Sequence, residues 1–181
     1  MSNRTRAGGF TLIEIMVALV VTTIGLLGIA KVQALAYASN GTASVRSLVA
    51  TEAAGLASAI RANRLYWGFV PTAAPITITG GTISDATLDA LAPGSTFDAN
   101  FCAQGGGAPC VPQTMAANDL HIYGAGLAAL VNNAVTTVTC PAGVIPLNCT
   151  IQVTWNEKTV AVNAQGGNAL IAPTYVLYVQ P

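Results

Sequence analysis

Residues 10–30 read FTLIEIMVALVVTTIGLLGIA, an apolar run of 21 residues in which Glu14 is the only charge. As an α-helix it is about 31 Å long, enough to cross a hydrocarbon layer of about 30 Å. A core helix of a soluble protein carries a polar stripe, and this run has almost none. It therefore spans a membrane or packs inside something equally apolar. Arg6 and Lys31 flank it, and Arg4, Arg6 and the amino terminus place the N-terminus inside. The run is longer than the apolar stretch of an ordinary secretory signal, and no convincing small-residue cleavage site follows it.

The helical pattern continues past the run. Residues 31–66 contain no proline, and Val45, Leu48, Val49, Ala53, Leu56 and Ile60 recur at three- and four-residue spacing, one face of a helix. A single helix is predicted from about Thr11 to about Leu65. Its first half is apolar all round. Its second half is amphipathic and needs a globular partner. Gly25 and Gly28 weaken the first half by about 1 kcal/mol each relative to alanine. They read either as tolerated membrane glycines or as a point that can stretch.

Seven Lys+Arg balance seven Asp+Glu, but not evenly along the chain. Residues 1–64 carry Arg4, Arg6, Lys31, Arg46, Arg61 and Arg64 against Glu14 and Glu52; residues 65–181 carry Lys158 against Asp85, Asp89, Asp98, Asp119 and Glu157. The C-terminal part cannot supply the several basic contacts that a phosphate backbone needs, which excludes nucleic acid as a partner. Cys102, Cys110, Cys140 and Cys149 all lie in that part, none in a CxxC pair, and His121 is the only histidine. This argues against a metal site and for disulfides in an oxidising compartment, with free buried thiols as the alternative. Three connectivities are open; Cys102–Cys110 and Cys140–Cys149 are preferred because each closes a short loop.

Glu14 is costly where it sits, about 2.5–3.5 kcal/mol at the centre of a membrane helix, and such residues are functional by default. The bland reading is a carboxylate that reaches the headgroups. It also lies four residues after Phe10, on the same helical face. Here Gly8-Gly9-Phe10-Thr11-Leu12-Ile13-Glu14 resembles the G-F-T-L-I-E signature of type IV pilins and pseudopilins. The resemblance implies that a prepilin peptidase cuts between Gly9 and Phe10 and methylates the new Phe10 amine. It also implies that Glu14 pairs with an N-terminal amine during filament assembly, which answers the cost of a lone buried carboxylate.

Further residues resemble the PilV-type minor pilins. Val17-Ala18-Leu19 followed by Ile24-Gly25-Leu26-Leu27-Gly28 is similar to their V-A-L and I-G-L-L-G pattern, and Arg61-Ala62-Asn63 to their helix end. Ala117-Asn118-Asp119-Leu120 and the strand Thr150–Trp155 are similar to later stretches of the same family. His121-Ile122-Tyr123 stands where a tryptophan usually follows, and the acidic residues expected near Ala57–Ile60 are missing.

The fold class that follows is α+β, the type IV pilin fold: a long N-terminal helix laid on a small antiparallel sheet. Residues 1–9 form a leader, 10–34 the membrane or filament-core half of the helix, 35–66 its amphipathic half and 67–181 a head. Within the head, 67–118 is rich in Gly, Pro, Ser and Thr, with Ile76–Thr79 a possible strand and Gly105-Gly106-Gly107 a flexible loop. A helix is expected over about 114–131, and strands over Ala134–Cys140, Cys149–Trp155 and Thr174–Gln180. Strict alternation in Thr150–Trp155 buries one sheet face against the long helix.

No residues form a catalytic constellation, and no cofactor is implied. Asp85 and Asp89, four residues apart, could share a helical face but read rather as a short solvated turn, and Trp67 and Trp155 read as core or helix-end residues. Asn40-Gly41-Thr42 and Asn148-Cys149-Thr150 match the short glycan acceptor pattern, which chance often produces. The resemblance implies a structural subunit whose partners are prepilin peptidase, other minor pilins, the major pilin, the inner-membrane assembly platform and, before assembly, membrane lipid. It would sit in the bacterial inner membrane with its N-terminus cytoplasmic and its head periplasmic, then in a surface fibre. A pseudopilin of a type II secretion system and a head that binds a surface ligand are the alternatives.

Overall fold

The computed structural model describes residues 9–69, 75–91, 111–141, 147–158 and 170–181. The chain divides into two compact units, Met1–Gly41 and Thr42–Pro181. Helix α1 runs Leu12–Ala62 and continues without a break through Gly25, Gly28 and Gly41.

In the first unit the apolar side chains of α1 face outward: Leu12, Ile13, Ile24 and Leu27 are among the most exposed. Among the described residues α1 is the helix long and apolar enough to cross a membrane, its most apolar window having a mean hydropathy of 2.4.

The second unit holds the core. Its part of α1 buries Val49, Ala53, Leu56, Ala57 and Ile60. Leu48, expected on the same face, is 39% exposed. It stands about 100° around the helix from Val49, off the stripe that Ala57 completes. The single helix expected to about Leu65 stops at Ala62. At Asn63 the backbone leaves the helical region (φ −104°, ψ 58°), and a short α2, Arg64–Trp67, follows. The buried Asn63 amide is committed elsewhere: Nδ2 donates to the Pro112 carbonyl at 2.7 Å, tying the end of α1 to the start of α4, Pro112–Leu130.

Five strands form an antiparallel sheet: β1 (Ile76–Thr79), β2 (Thr82–Ile83), β3 (Val135–Thr139), β4 (Cys149–Thr154) and β7 (Thr174–Val179), in the order β2-β1-β3-β4-β7. A separate two-stranded ribbon pairs β5 (Glu157–Lys158) with β6 (Leu170–Ile171). Ile78 faces Thr136, Thr136 faces Val153, and Val153 faces Tyr175 across the sheet. Because side chains alternate along a strand, that register puts Ile76, Ile78, Val138, Ile151 and Val153 on one buried face. The core joins this face to α1 and α4, and the protein has an α+β pilin-like fold. Trp67 and Trp155 are both buried in it.

The stretch 67–118, expected to be mostly loop, contains the β1–β2 hairpin and a further helix, α3 (Ala86–Leu91). Asp85 and Asp89 are therefore not a solvated turn. Asp85 Oδ1 accepts from Thr87 N–H (2.9 Å) and Leu88 N–H (3.1 Å), so it caps α3. Asp89 Oδ1 accepts from Ile83 N–H at 2.9 Å and holds the hairpin to the helix. The hairpin turns at Gly80, whose φ of 60° suits glycine. Gly124 of α4 sits against that turn so closely that a Cβ would collide with the Gly80 carbonyl.

Cys140 and Cys149 are disulfide-bonded and close the connection between β3 and β4. A bridge over so short a loop contributes about 2–4 kcal/mol by restricting the unfolded chain. Cys102, Cys110 and the triple glycine lie outside the described residues.

Candidate functional site

Gly9, Phe10 and Thr11 precede α1 without regular structure, and the Phe10 side chain is 81% exposed. Nothing lies within 4 Å of where a Gly9 Cβ would stand, so the chain itself does not demand glycine there. Thr11 begins the helix: its carbonyl accepts from Glu14 N–H (3.1 Å) and Ile15 N–H (3.3 Å). The Glu14 carboxylate folds back to it. Glu14 Oε2 accepts from Thr11 N–H at 3.4 Å and lies 3.5 Å from Thr11 Oγ1. Thr11-Leu12-Ile13-Glu14 has the T-x-x-E spacing of a capping box and makes the Glu half of it, which satisfies a free N–H at the helix start and sets a negative charge at the positive end of the helix dipole. The T-x-x-E spacing in the sequence is the signal for this second role of Glu14, beside its charge.

Phe10, Glu14, Ala18 and Thr22 recur every four residues and, with Ile15 and Leu19, line a shallow groove of about 380 Å³ on one side of α1. Thr22 and Thr23 donate their hydroxyls to the Leu19 and Val20 carbonyls (3.0 and 2.8 Å), so neither presents an unsatisfied donor in this apolar stretch. Glu14 is the one ionisable side chain of the groove.

A prokaryotic N-terminal methylation motif family model matches residues 4–30. Residues 4–30 thus carry the N-terminal methylation motif that type IV pilins and pseudopilins share. The motif marks the chain for prepilin peptidase, and the apolar α1 agrees with residence in the inner membrane and then in a pilus or secretion apparatus. No curated protein and no solved structure matches the chain. Proteins that carry this motif as pilins are generally structural subunits rather than enzymes. Among the described residues no three His, Cys, Asp or Glu side chains are grouped to hold a metal ion.

The second unit carries a different feature. A cleft of about 410 Å³ opens between α1 and α4, lined by Glu52, Gly55, Leu56 and Ala59 on one side and Asp119, Ile122, Tyr123 and Gly126 on the other. Burial raises the Asp119 carboxyl above its usual pKa. Burial also pushes the Tyr123 phenol up to about 12, with the Glu52 charge adding to it and the Thr136 hydroxyl, 2.8 Å away, opposing. His121 is buried with Nε2 3.6 Å from Asp89 Oδ1 and, among the described residues, Nδ1 without a partner. His121 has no sequence neighbour to pair with, and its contact with Asp89 requires the α3–α4 packing.

Proposed function

We propose that the protein is a minor pilin of the PilV type, cut between Gly9 and Phe10, methylated on the Phe10 amine, and assembled with other minor pilins and the major pilin into a type IV pilus. Residues 1–9 are the leader in this reading, 10–34 the membrane and then filament-core segment, 35–66 the amphipathic stretch and 67–181 the head. The observation that carries it is the groove shared by Phe10 and Glu14. It lies on the N-terminal stretch of α1, whose apolar side chains are exposed around the whole circumference. Such a surface needs lipid or neighbouring helices, and a lone carboxylate within it needs a cation. Cleavage at Gly9–Phe10 creates an amine one residue before the Thr11 N–H that Glu14 already caps. The amine of a neighbouring subunit is the contact that rewards assembly.

Glu14→Ala separates this from a merely interfacial carboxylate. Membrane-fraction amounts and leader removal should match wild type, while sheared-pilus amounts at equal expression should fall severalfold. Equal incorporation of the variant would remove the assembly role. The matched motif is shared by pilins and pseudopilins, so the second reading is a type II secretion pseudopilin. Loss of an exported substrate with pili intact, on deletion of the gene, would favour it.

A further inference from the structure

The five-stranded sheet has two edges, and they differ. At one edge β2 is two residues long, and its Ile83 N–H is taken by Asp89 Oδ1 at 2.9 Å. At the other, the six residues of β7 pair with β4 on one side and, among the described residues, with nothing on the far side. The ladder shows which groups are left over. Trp155 N–H donates to the Pro173 carbonyl at 3.4 Å, so these two residues face each other as a hydrogen-bonded pair. Such pairs alternate along an antiparallel ladder, which makes Val153–Tyr175, Ile151–Leu177 and Cys149–Val179 the next ones. The N–H and C=O groups of Thr174, Val176 and Tyr178 therefore point away from β4, into the open edge.

A free backbone row is a template for another strand, and proteins blunt such edges with charge, proline or a bulge. Strand β7 has none of these. Its sequence, TYVLYV, is uncharged, and its register with β4 is continuous from Cys149–Val179 to Thr154–Thr174. Its apolar side chains are incompletely covered on both faces. Tyr175 and Leu177 are only partly buried against the core, and on the outer face Val176 is 43% and Tyr178 71% exposed. One added strand would use the free backbone groups and shield side chains on both faces. That strand must be uncharged, because a charge laid beside Val176 would be desolvated with no counter-charge on β7.

Resting on the pilin reading above, we propose that β7 is a docking edge that takes up an extended, uncharged segment of a different subunit as a further strand of the sheet. A second copy of this chain does not suit the edge. Antiparallel pairing of β7 with β7 relates two copies by a twofold axis normal to the sheet. That axis reverses the direction of the α1 stretch 42–62 that shares the core with the sheet. Two chains held in one membrane by the same end of α1 cannot both comply.

The test uses the full chain in whole cells, with Tyr178→p-benzoylphenylalanine as a photo-cross-linker and the adducts mapped by mass spectrometry. The adduct should join position 178 to an uncharged stretch of another subunit. Val176→Pro removes an outward N–H, which an edge strand tolerates, and Val176→Lys puts a charge on the edge. Each should cut the adduct, and the amount of chain in sheared pili, at least about tenfold, with leader removal and membrane amount unchanged. Val176→Thr keeps the N–H and the strand preference and should stay within about twofold of wild type. Val176 is partly exposed, so V176K keeps the native core even if V176P melts it; a thermal melt of each variant in detergent reports that. Adducts between two copies of this chain, or a folded V176K with wild-type adduct and incorporation, would overturn the docking edge. Wild type that is cleaved and present in pili, yet gives no adduct with another subunit, would sink the edge and leave the pilin reading standing. A V176K-sensitive adduct from a chain never found in pili would do the reverse.

Discussion

Arg46 and Glu157, 111 residues apart in sequence, meet in a two-pronged ion pair: Nε donates to Oε2 at 3.1 Å and Nη2 to Oε1 at 3.0 Å. The two ends are unequal. Glu157 is 8% exposed, whereas the Arg46 side chain is 56% exposed. The guanidinium is therefore what makes a buried carboxylate tolerable, and it fastens the β5–β6 ribbon to α1. The hydrogen bonds and charge of Glu157 in turn raise the Arg46 pKa above its ordinary value.

Removing the exposed partner should cost more than its exposure suggests. Arg46→Ala strands the Glu157 charge in the core and should lower the melting temperature clearly. Arg46→Lys should recover only part, because an ammonium cannot reproduce the paired geometry. Arg46→Ala combined with Glu157→Gln should recover more than Arg46→Lys does, since the stranded charge is gone. A thermal melt monitored by circular dichroism orders the three.

Gly124→Ala should destabilise the head by about 1–3 kcal/mol, although alanine favours helices. The added methyl would strike the Gly80 carbonyl and come within 2.6 Å of Ile78 Cγ2. Gly55→Ala, where nothing lies within 4 Å, should instead be neutral or stabilising. Urea unfolding of the two variants side by side measures the contrast.

Burial raises the Asp119 carboxyl above its unfolded value. The folded state therefore binds this proton more tightly than the unfolded state does. Its contribution to stability is present below the ordinary carboxylate pKa of about 3.9 and is lost as pH rises through the elevated native value. Asp119→Asn should flatten that part of the stability–pH curve and make the head more stable at neutral pH. Melting temperatures of both forms from pH 3 to pH 8 test the sign; a less stable Asn variant at neutral pH would contradict it.

Nothing in the chain crowds a side chain at Gly9. Gly9→Leu should therefore fold and insert as wild type, yet resist leader removal, because the demand for glycine lies in the peptidase. Intact-mass measurement on membrane fractions decides it: efficient loss of the leader from the variant would contradict the assignment of the cut.

The sequence alone determined whatever depends on local pattern. A 21-residue run with one charge can only be an apolar helix, and the motif from Gly8 to Glu14 needs no folded context to be legible. Alternation placed β4, and clustered branched residues placed β1, β3 and β7, each within a residue or two. Branched side chains favour strands, and a half-buried strand must alternate. What only the tertiary structure decided involves partners distant in sequence. Asn63 ends α1 because its amide is taken by Pro112, 49 residues away. Glu157 is buried because Arg46 reaches it, and Glu52 meets Asp119 across a cleft because α1 packs on α4. No periodicity encodes such meetings. They follow from one shared core that fixes which helix flank faces which, and the free energy of burying that core outweighs the local preferences of the residues at its margins.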